Sequence, residues 1–276
     1  MLAISSASFY FWMDGYSPHQ GIELAAEYGN DLVDAIDVYV TPTKVQEFFD
    51  QATDTHLECL SGFKARILHT DFADLCDWAS APLSGAELSK VISEFNDLAK
   101  YINATEFVIH ADFLVGDIKE RLSILESCFT AAPINLEVVD HKSNFGTHPE
   151  HFEEILKTSD RVFLTPDIAH MQDFAQDYSW EAFFDNPKLL DKIRVIHLSH
   201  HTRNMIENWY VKKGFVDVAE ANHTLCIADV EAFPREMLSR FSDKLIVLEG
   251  IIPTGDEGLR MLDDEICWVK QNCFNV

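Results

Sequence analysis

Short apolar runs rich in Val and Ile alternate along this chain with longer stretches whose apolar residues recur at helical spacing. The runs predict strands at Leu2–Ser8, Leu32–Val40, Ala65–His69, Glu106–His110, Ile134–Val139, Arg161–Thr165, Arg194–Leu198 and Lys244–Glu249. Between them the spacing predicts helices at Ser17–Tyr28, Ser84–Tyr101, Gly116–Phe129, His148–Lys157 and Val230–Phe241, with a closing helix over Gly255–Asn272. In Ser84–Tyr101, for instance, Leu88, Val91, Ile92, Phe95, Leu98 and Ala99 share one face. Ser84 and the Thr147-His148-Pro149 segment read as helix starts. Strands that alternate with helices in this way build a parallel sheet. Eight such units in 276 residues fit an α/β fold, a single closed (β/α)8 barrel spanning residues 1–276. An open doubly wound sheet shares the local pattern and is the alternative. No low-complexity linker, charged tail or repeat divides the chain.

Composition narrows the partners. Apolar residues make up 47% of the chain, enough for a large core. Asp and Glu number 46 against 21 Lys and Arg, a net charge of −25. Such a surface repels nucleic acid and anionic membrane at long range, which disfavours a DNA substrate. No apolar run reaches 18 residues, so no membrane span is predicted. The apolar start, Met1–Trp12, lacks the basic residue and cleavage pattern of a secretory leader. None of the six cysteines forms C-x-x-C, and Cys226 and Cys267 sit between apolar neighbours. We read them as reduced, buried thiols of a cytoplasmic protein. The pattern carries no signal for an oligomeric state.

The chemistry lies where the strands end. The third strand ends on His69 and the fourth on His110. The fifth reads Asn-Leu-Glu137-Val-Val-Asp140, and the sixth runs into Asp167-Ile-Ala-His170. The seventh reads Val-Ile-His197-Leu-Ser-His200-His201, and the eighth ends on Glu249. A polar side chain buried in a strand is costly unless it is paired. In a barrel the C-terminal strand ends converge on one site. Imidazole and carboxylate together suit zinc, manganese or iron. A carboxylate such as Glu137 can bridge two ions, and two ions roughly 3.5–4 Å apart activate water and stabilise a leaving oxygen.

These segments resemble the xylose isomerase-like TIM barrel superfamily and, within it, the endonuclease IV family. Leu68-His69-Thr70-Asp71-Phe72 is similar to that family's His-Ala-Pro-Tyr strand end, and Val108-Ile109-His110 to its second histidine strand. Leu136-Glu137 and Ser143-Asn144-Phe145-Gly146 resemble its Leu-Glu-Asn and Asn-Leu-Gly segments. Asp167-Ile-Ala-His170 matches Asp-Thr-Cys-His in spacing, and His197-Leu198 resembles His-Leu-Asn. His223-Thr-Leu-Cys-Ile-Ala-Asp-Val resembles His-x-x-Leu-Gly-x-Gly-x-Ile, and Glu249 matches the terminal glutamate. The resemblance implies two or three divalent ions. His69, His110 and Glu137 would hold the first. Glu137, Asp167, His197 and Glu249 would hold the second, and His170 and His223 the third. The sugar isomerase and epimerase branches typically keep only the second set.

The chain also departs from the endonuclease pattern. Ala221 replaces the third-ion aspartate, so that site is expected to be weaker, empty, or completed by Glu220, Asn222, His200 or His201. Cys226 and Ala228 replace glycines, and Phe72 stands where a DNA-stacking Tyr is expected. The loop after the second strand, Val-Thr-Pro-Thr-Lys44, carries one charge. Two segments read either as sources of local positive charge for a substrate or as ordinary solvated amphipathic stretches: Thr202–Gly214, with Arg203, Trp209, Tyr210, Lys212 and Lys213, and His141-Lys142. Arg203, Lys142 and the Phe72 ring are therefore the candidate substrate contacts.

The expected activity is that of a metal-dependent phosphoester hydrolase, with Glu137 or Glu249 orienting water. Its substrate is expected to be a small phosphorylated molecule rather than a DNA duplex. The alternative is a sugar isomerase or epimerase, with one ion on Glu137, Asp167, His197 and Glu249 and the two glutamates moving the proton. An iron-dependent oxidative enzyme, or a barrel used only for binding, fits the same residues less well.

Overall fold

In the computed structural model the described residues are 1–10, 17–29, 31–72, 75, 82–139, 143, 145–173, 183–200, 223–229, 235–253 and 255–274. The strands are β1 (Leu2–Ser5), β2 (Ala35–Tyr39), β3 (Ala65–Thr70), β4 (Glu106–His110), β5 (Ile134–Glu137), β6 (Val162–Thr165), β7 (Val195–Leu198) and β8 (Leu245–Leu248). All are parallel, in the order β6-β5-β4-β3-β2-β1-β8-β7. The gap between β6 and β7 is bridged at Leu164–Ile193 and Asp167–His197. The sheet thus curls into a nearly closed (β/α)8 barrel, and the open doubly wound alternative is excluded.

Helices follow the expected starts. Ser84 Oγ accepts the Glu87 N–H while the Glu87 carboxylate accepts the Ser84 N–H, and this capping box opens Gly85–Tyr101. His148 precedes Pro149, the first residue of Pro149–Thr158. The closing helix spans Asp256–Val269 and ends in a π-turn over Lys270–Phe274. The helix expected over Val230–Phe241 is reduced, among its described residues, to Arg235–Leu238 and a 3-10 turn at Ser239–Phe241. Among the described residues, no helix is long and apolar enough to cross a membrane.

Two apolar cores result. A large one lies between sheet and helices, and a small one of Ala3, Ala35, Ala65, Ile67, Val108, Val195, Leu245 and Val247 fills the barrel. Side chains alternate faces with period two along a strand. The inward positions above this small core are therefore Ser5, Asp37, His69, His110, His197 and Glu249. Its apolar layer turns polar within one repeat, at the C-terminal end. Cys226 and Cys273 are buried as expected, but Cys267 is exposed, because it lies on the outer face of the closing helix.

Candidate metal centre

The register that closes the barrel gathers the strand-end side chains. His110 on β4 is paired in register with Glu137 on β5, and Glu137 with Thr165 on β6. Glu137 has its two oxygens turned to different neighbours. Oε1 lies 2.9 Å from His197 Nδ1, while Oε2 lies 2.9 Å from His69 Nε2 and 3.7 Å from His110 Nε2. His197 Nδ1 is also 3.2 Å from Glu249 Oε2. Three overlapping groups therefore converge, each with its ligand atoms within 4.8 Å of one another: Asp37, His69 and His197, and two made only of the expected ligands. Of these two, one is His69, His110 and Glu137; the other is Glu137, Asp167, His197 and Glu249.

His69, Glu137, Asp167 and His197 are buried, while His110 and Glu249 keep some exposure. Asp167 and His197 are 0% exposed and Glu137 1%. Even so, His197 Nε2 has no hydrogen-bond partner, and Glu137 Oε2, Asp167 Oδ2, Glu249 Oε2 and both His69 nitrogens are met only by ion-pair contacts within the cluster. Buried polar atoms left unsatisfied are expensive, and a divalent ion would satisfy most of these at once. Nitrogen and carboxylate donors fit zinc, manganese or iron.

Without an ion, charge holds the cluster together. Burial opposes the charge on His69, but Glu137 and Asp37 outweigh it and carry its pKa up to about 10. Burial likewise opposes the charge on His197, and Glu137 and Glu249 raise it well above the ordinary value. Burial works against Glu249 too, yet His197 brings it down to about 2. Asp167 goes the other way: burial and the Glu249 charge push it up to about 7.

The remaining expected ligands sit beside this pair of groups. The backbone N–H of His170 donates to Asp167 Oδ1 at 3.0 Å, and its ring lies 5.0 Å from that of His223. His223 Nδ1 meets Ser199 Oγ at 3.1 Å. Among the described residues no third ligand joins His170 and His223. His200 has Gln172 Nε2 at 2.9 Å from its Nδ1. Ala221, Glu220, Asn222 and His201 lie outside the described residues, as do the two expected cationic contacts, Lys142 and Arg203.

Phe72, expected as a substrate contact, is 1% exposed and packs against Phe95 and Phe113, with ring centroids 6.1 and 6.2 Å away. The wall of the cavity is built instead by Tyr39, which donates its hydroxyl to Asp71, and by His110, His170, His223 and Ile251. The cavity holds about 160 Å³. Sequence reasoning passed over Tyr39, Asp71 and the fully buried Asp37. The signal for Asp37 was an acid within the apolar run Ala35-Ile-Asp-Val-Tyr-Val40.

No protein-family model matches the sequence, and no curated protein matches it either. Solved structures do match the fold. The IOLI protein with a binding zinc atom is 18% identical with a TM-score of 0.67, over 100% of this chain and 99% of that one. D-allulose 3-epimerase from Methylomonas sp., in complex with D-allulose, is 12% identical with a TM-score of 0.63, over 98% and 96%. Endonuclease IV from Thermus thermophilus is 13% identical with a TM-score of 0.57, over 98% and 99%. The chain has the (β/α)8 barrel fold of these solved structures.

Proposed function

We propose that this protein is a hydrolase of the endonuclease IV-like type, dependent on divalent metal and acting on the phosphoester of a small molecule. The observation that carries this reading is the two-sided Glu137. One carboxylate oxygen faces His69 and His110, and the other faces His197. A barrel that works with one ion does not need the buried His69 and the partly buried His110 as ligands on the far side of that carboxylate. Divalent ions held by these groups would supply Lewis-acid polarisation of a phosphoryl oxygen and a water acidic enough to react near neutral pH. Glu137 and Glu249 would orient that water. Lys142 and Arg203, which follow β5 and β7 in the chain, are the proposed phosphate contacts. The net charge of −25 supports a small substrate over a duplex.

A second reading is favoured by one specific feature. Glu137, Asp167, His197 and Glu249 form a complete ion set by themselves, and a neighbour of this fold is an epimerase crystallised with D-allulose. In that reading the two glutamates move a proton on a sugar.

One panel separates the two. Purified protein is assayed for bound metal, then with zinc, manganese or iron against bis(p-nitrophenyl) phosphate, sugar phosphates, an abasic oligonucleotide at low salt, and D-allulose. Two bound equivalents with phosphoester cleavage that His69→Ala abolishes are expected. One equivalent, with ketose interconversion insensitive to His69→Ala, overturns the hydrolase in favour of the epimerase.

A further inference from the structure

Asp37 lies outside both ion sets just assigned, yet it is fully buried on β2 with Oδ2 3.5 Å from His69 Nδ1. A carboxylate at such a position costs stability unless a partner compensates it. Ser5, its register partner on β1, donates to Asp37 Oδ2 at 2.7 Å and accepts the Ala7 N–H at 3.2 Å. This chain of contacts fixes Oδ2 beside the imidazole and leaves Oδ1 without a hydrogen bond. His69 has its Nε2 against Glu137 and two carboxylates at 3.5 Å from Nδ1, namely Asp37 and Glu249. Glu249 is drawn to His197 and belongs to the four-residue ion set. Asp37 is therefore the carboxylate left for Nδ1.

We propose that Asp37 is a positioning residue: it accepts the Nδ1 proton of His69 and so commits Nε2 to the ion shared with Glu137 and His110. Metal-bound imidazoles commonly donate their second N–H to a carboxylate, which fixes ring orientation and raises ligand basicity. Asp37 also comes within 4.8 Å of His69 and His197 as a potential ligand itself. Positioning and ligation differ in what an amide can replace. Asparagine keeps an acceptor oxygen for Nδ1–H but loses the charge a ligand needs.

The inference rests on the two-ion reading, and its test keeps the two apart. The full chain is titrated with zinc in a competing chelator, and with cobalt as a spectroscopic probe. The wild type is expected to bind two equivalents. Asp37→Ala is expected to weaken one ion about 10–100-fold and leave the other unchanged, which also reports an intact barrel. His69→Ala should remove that same ion, and Asp37→Asn should recover most of the loss. The proposal is overturned if Asp37→Ala binds both ions like the wild type, if it weakens both equally, or if Asp37→Asn is no better than Asp37→Ala. A wild type that binds one equivalent sinks the two-ion reading, and this inference with it.

Discussion

His197 Nδ1 sits 2.9 Å from Glu137 Oε1 while Glu137 Oε2 sits the same distance from His69 Nε2, so one buried carboxylate joins both histidines. Removing its charge must act on both sides. Glu137→Gln is expected to lose both ions, whereas Asp167→Asn, which touches only the second set, should weaken one. Metal analysis after dialysis checks this. Retention of a full complement by Glu137→Gln would show that the carboxylate does not bridge.

The charges in the cluster also predict a pH dependence. His69 ordinarily titrates near 6.5 and is carried to about 10 in the metal-free fold, burial being outweighed by Glu137 and Asp37. A raised pKa means that the folded state holds the proton more tightly than the unfolded chain. Its contribution is therefore complete below about pH 6.5 and lost as the pH climbs through 10. Ion binding needs the neutral imidazole, so it must expel protons and strengthen as the pH rises. The metal-free protein should lose Tm between pH 7 and 10, while the zinc-loaded protein should hold it. Calorimetric titrations at pH 7.5 in buffers of different ionisation enthalpy should reveal the released protons. Equal pH profiles for the two forms would contradict this.

Phe72 decides between core and contact. Its ring is buried against Phe95 and Phe113, and emptying such a site typically costs about 3–5 kcal/mol. Phe72→Ala should lower the denaturant midpoint accordingly, and Phe72→Leu much less, with KM unchanged in the leucine variant. A raised KM at unaltered stability would return the ring to the substrate site.

His19 makes a second, acid-side prediction. It is 4% exposed, and its ring lies 4.2 Å from that of His56 and 4.4 Å from that of Phe48. Burial first, then the His56 charge, lowers its pKa to about 4. The folded state thus excludes a proton that the unfolded chain accepts near 6.5. The stabilisation is present above that value and lost as the pH falls towards 4, on the order of 3 kcal/mol in all. His19→Phe should move the acid-unfolding midpoint to lower pH. An unmoved midpoint would place the acid sensitivity elsewhere.

The fold was legible because each strand announces itself as an apolar run and most end on an ionisable residue. Period-two alternation then puts His69, His110, Glu137, His197 and Glu249 in one polar layer. Asp37 was not legible, since an acid inside an apolar run looks the same whether it faces a site or a helix. Only the pairing of β2 with β1 and β3 brings it to Ser5 and His69. Phe72 differs for the opposite reason: its place just past His69 suggested the rim, but its ring packs with Phe95 and Phe113, two phenylalanines from distant segments. The segment that carries His223 was recognised by its residues, yet its anchorage was not, because it hangs on long-range backbone contacts.

That anchorage turns on Gly250. The segment around His223 is stitched between two strand extensions, with the Ile251 N–H donating to His223 O at 2.9 Å and the His200 N–H to Thr224 O at 2.8 Å. The backbones come so close that a Cβ on Gly250 would lie 2.7 Å from Leu225 N and 2.8 Å from the Thr224 carbonyl carbon. Both neighbours are backbone atoms and cannot rotate away. Gly250 also follows Glu249, so a methyl group there would push the second ion set and His223 apart. Gly250→Ala is expected to destabilise the protein by about 1–3 kcal/mol, as overpacking does, and to weaken metal binding beyond what the lost stability explains. Zinc affinity measured well below the unfolding temperature separates the two effects. Wild-type affinity in a destabilised Gly250→Ala protein would mean that the His223 segment moves without disturbing Glu249.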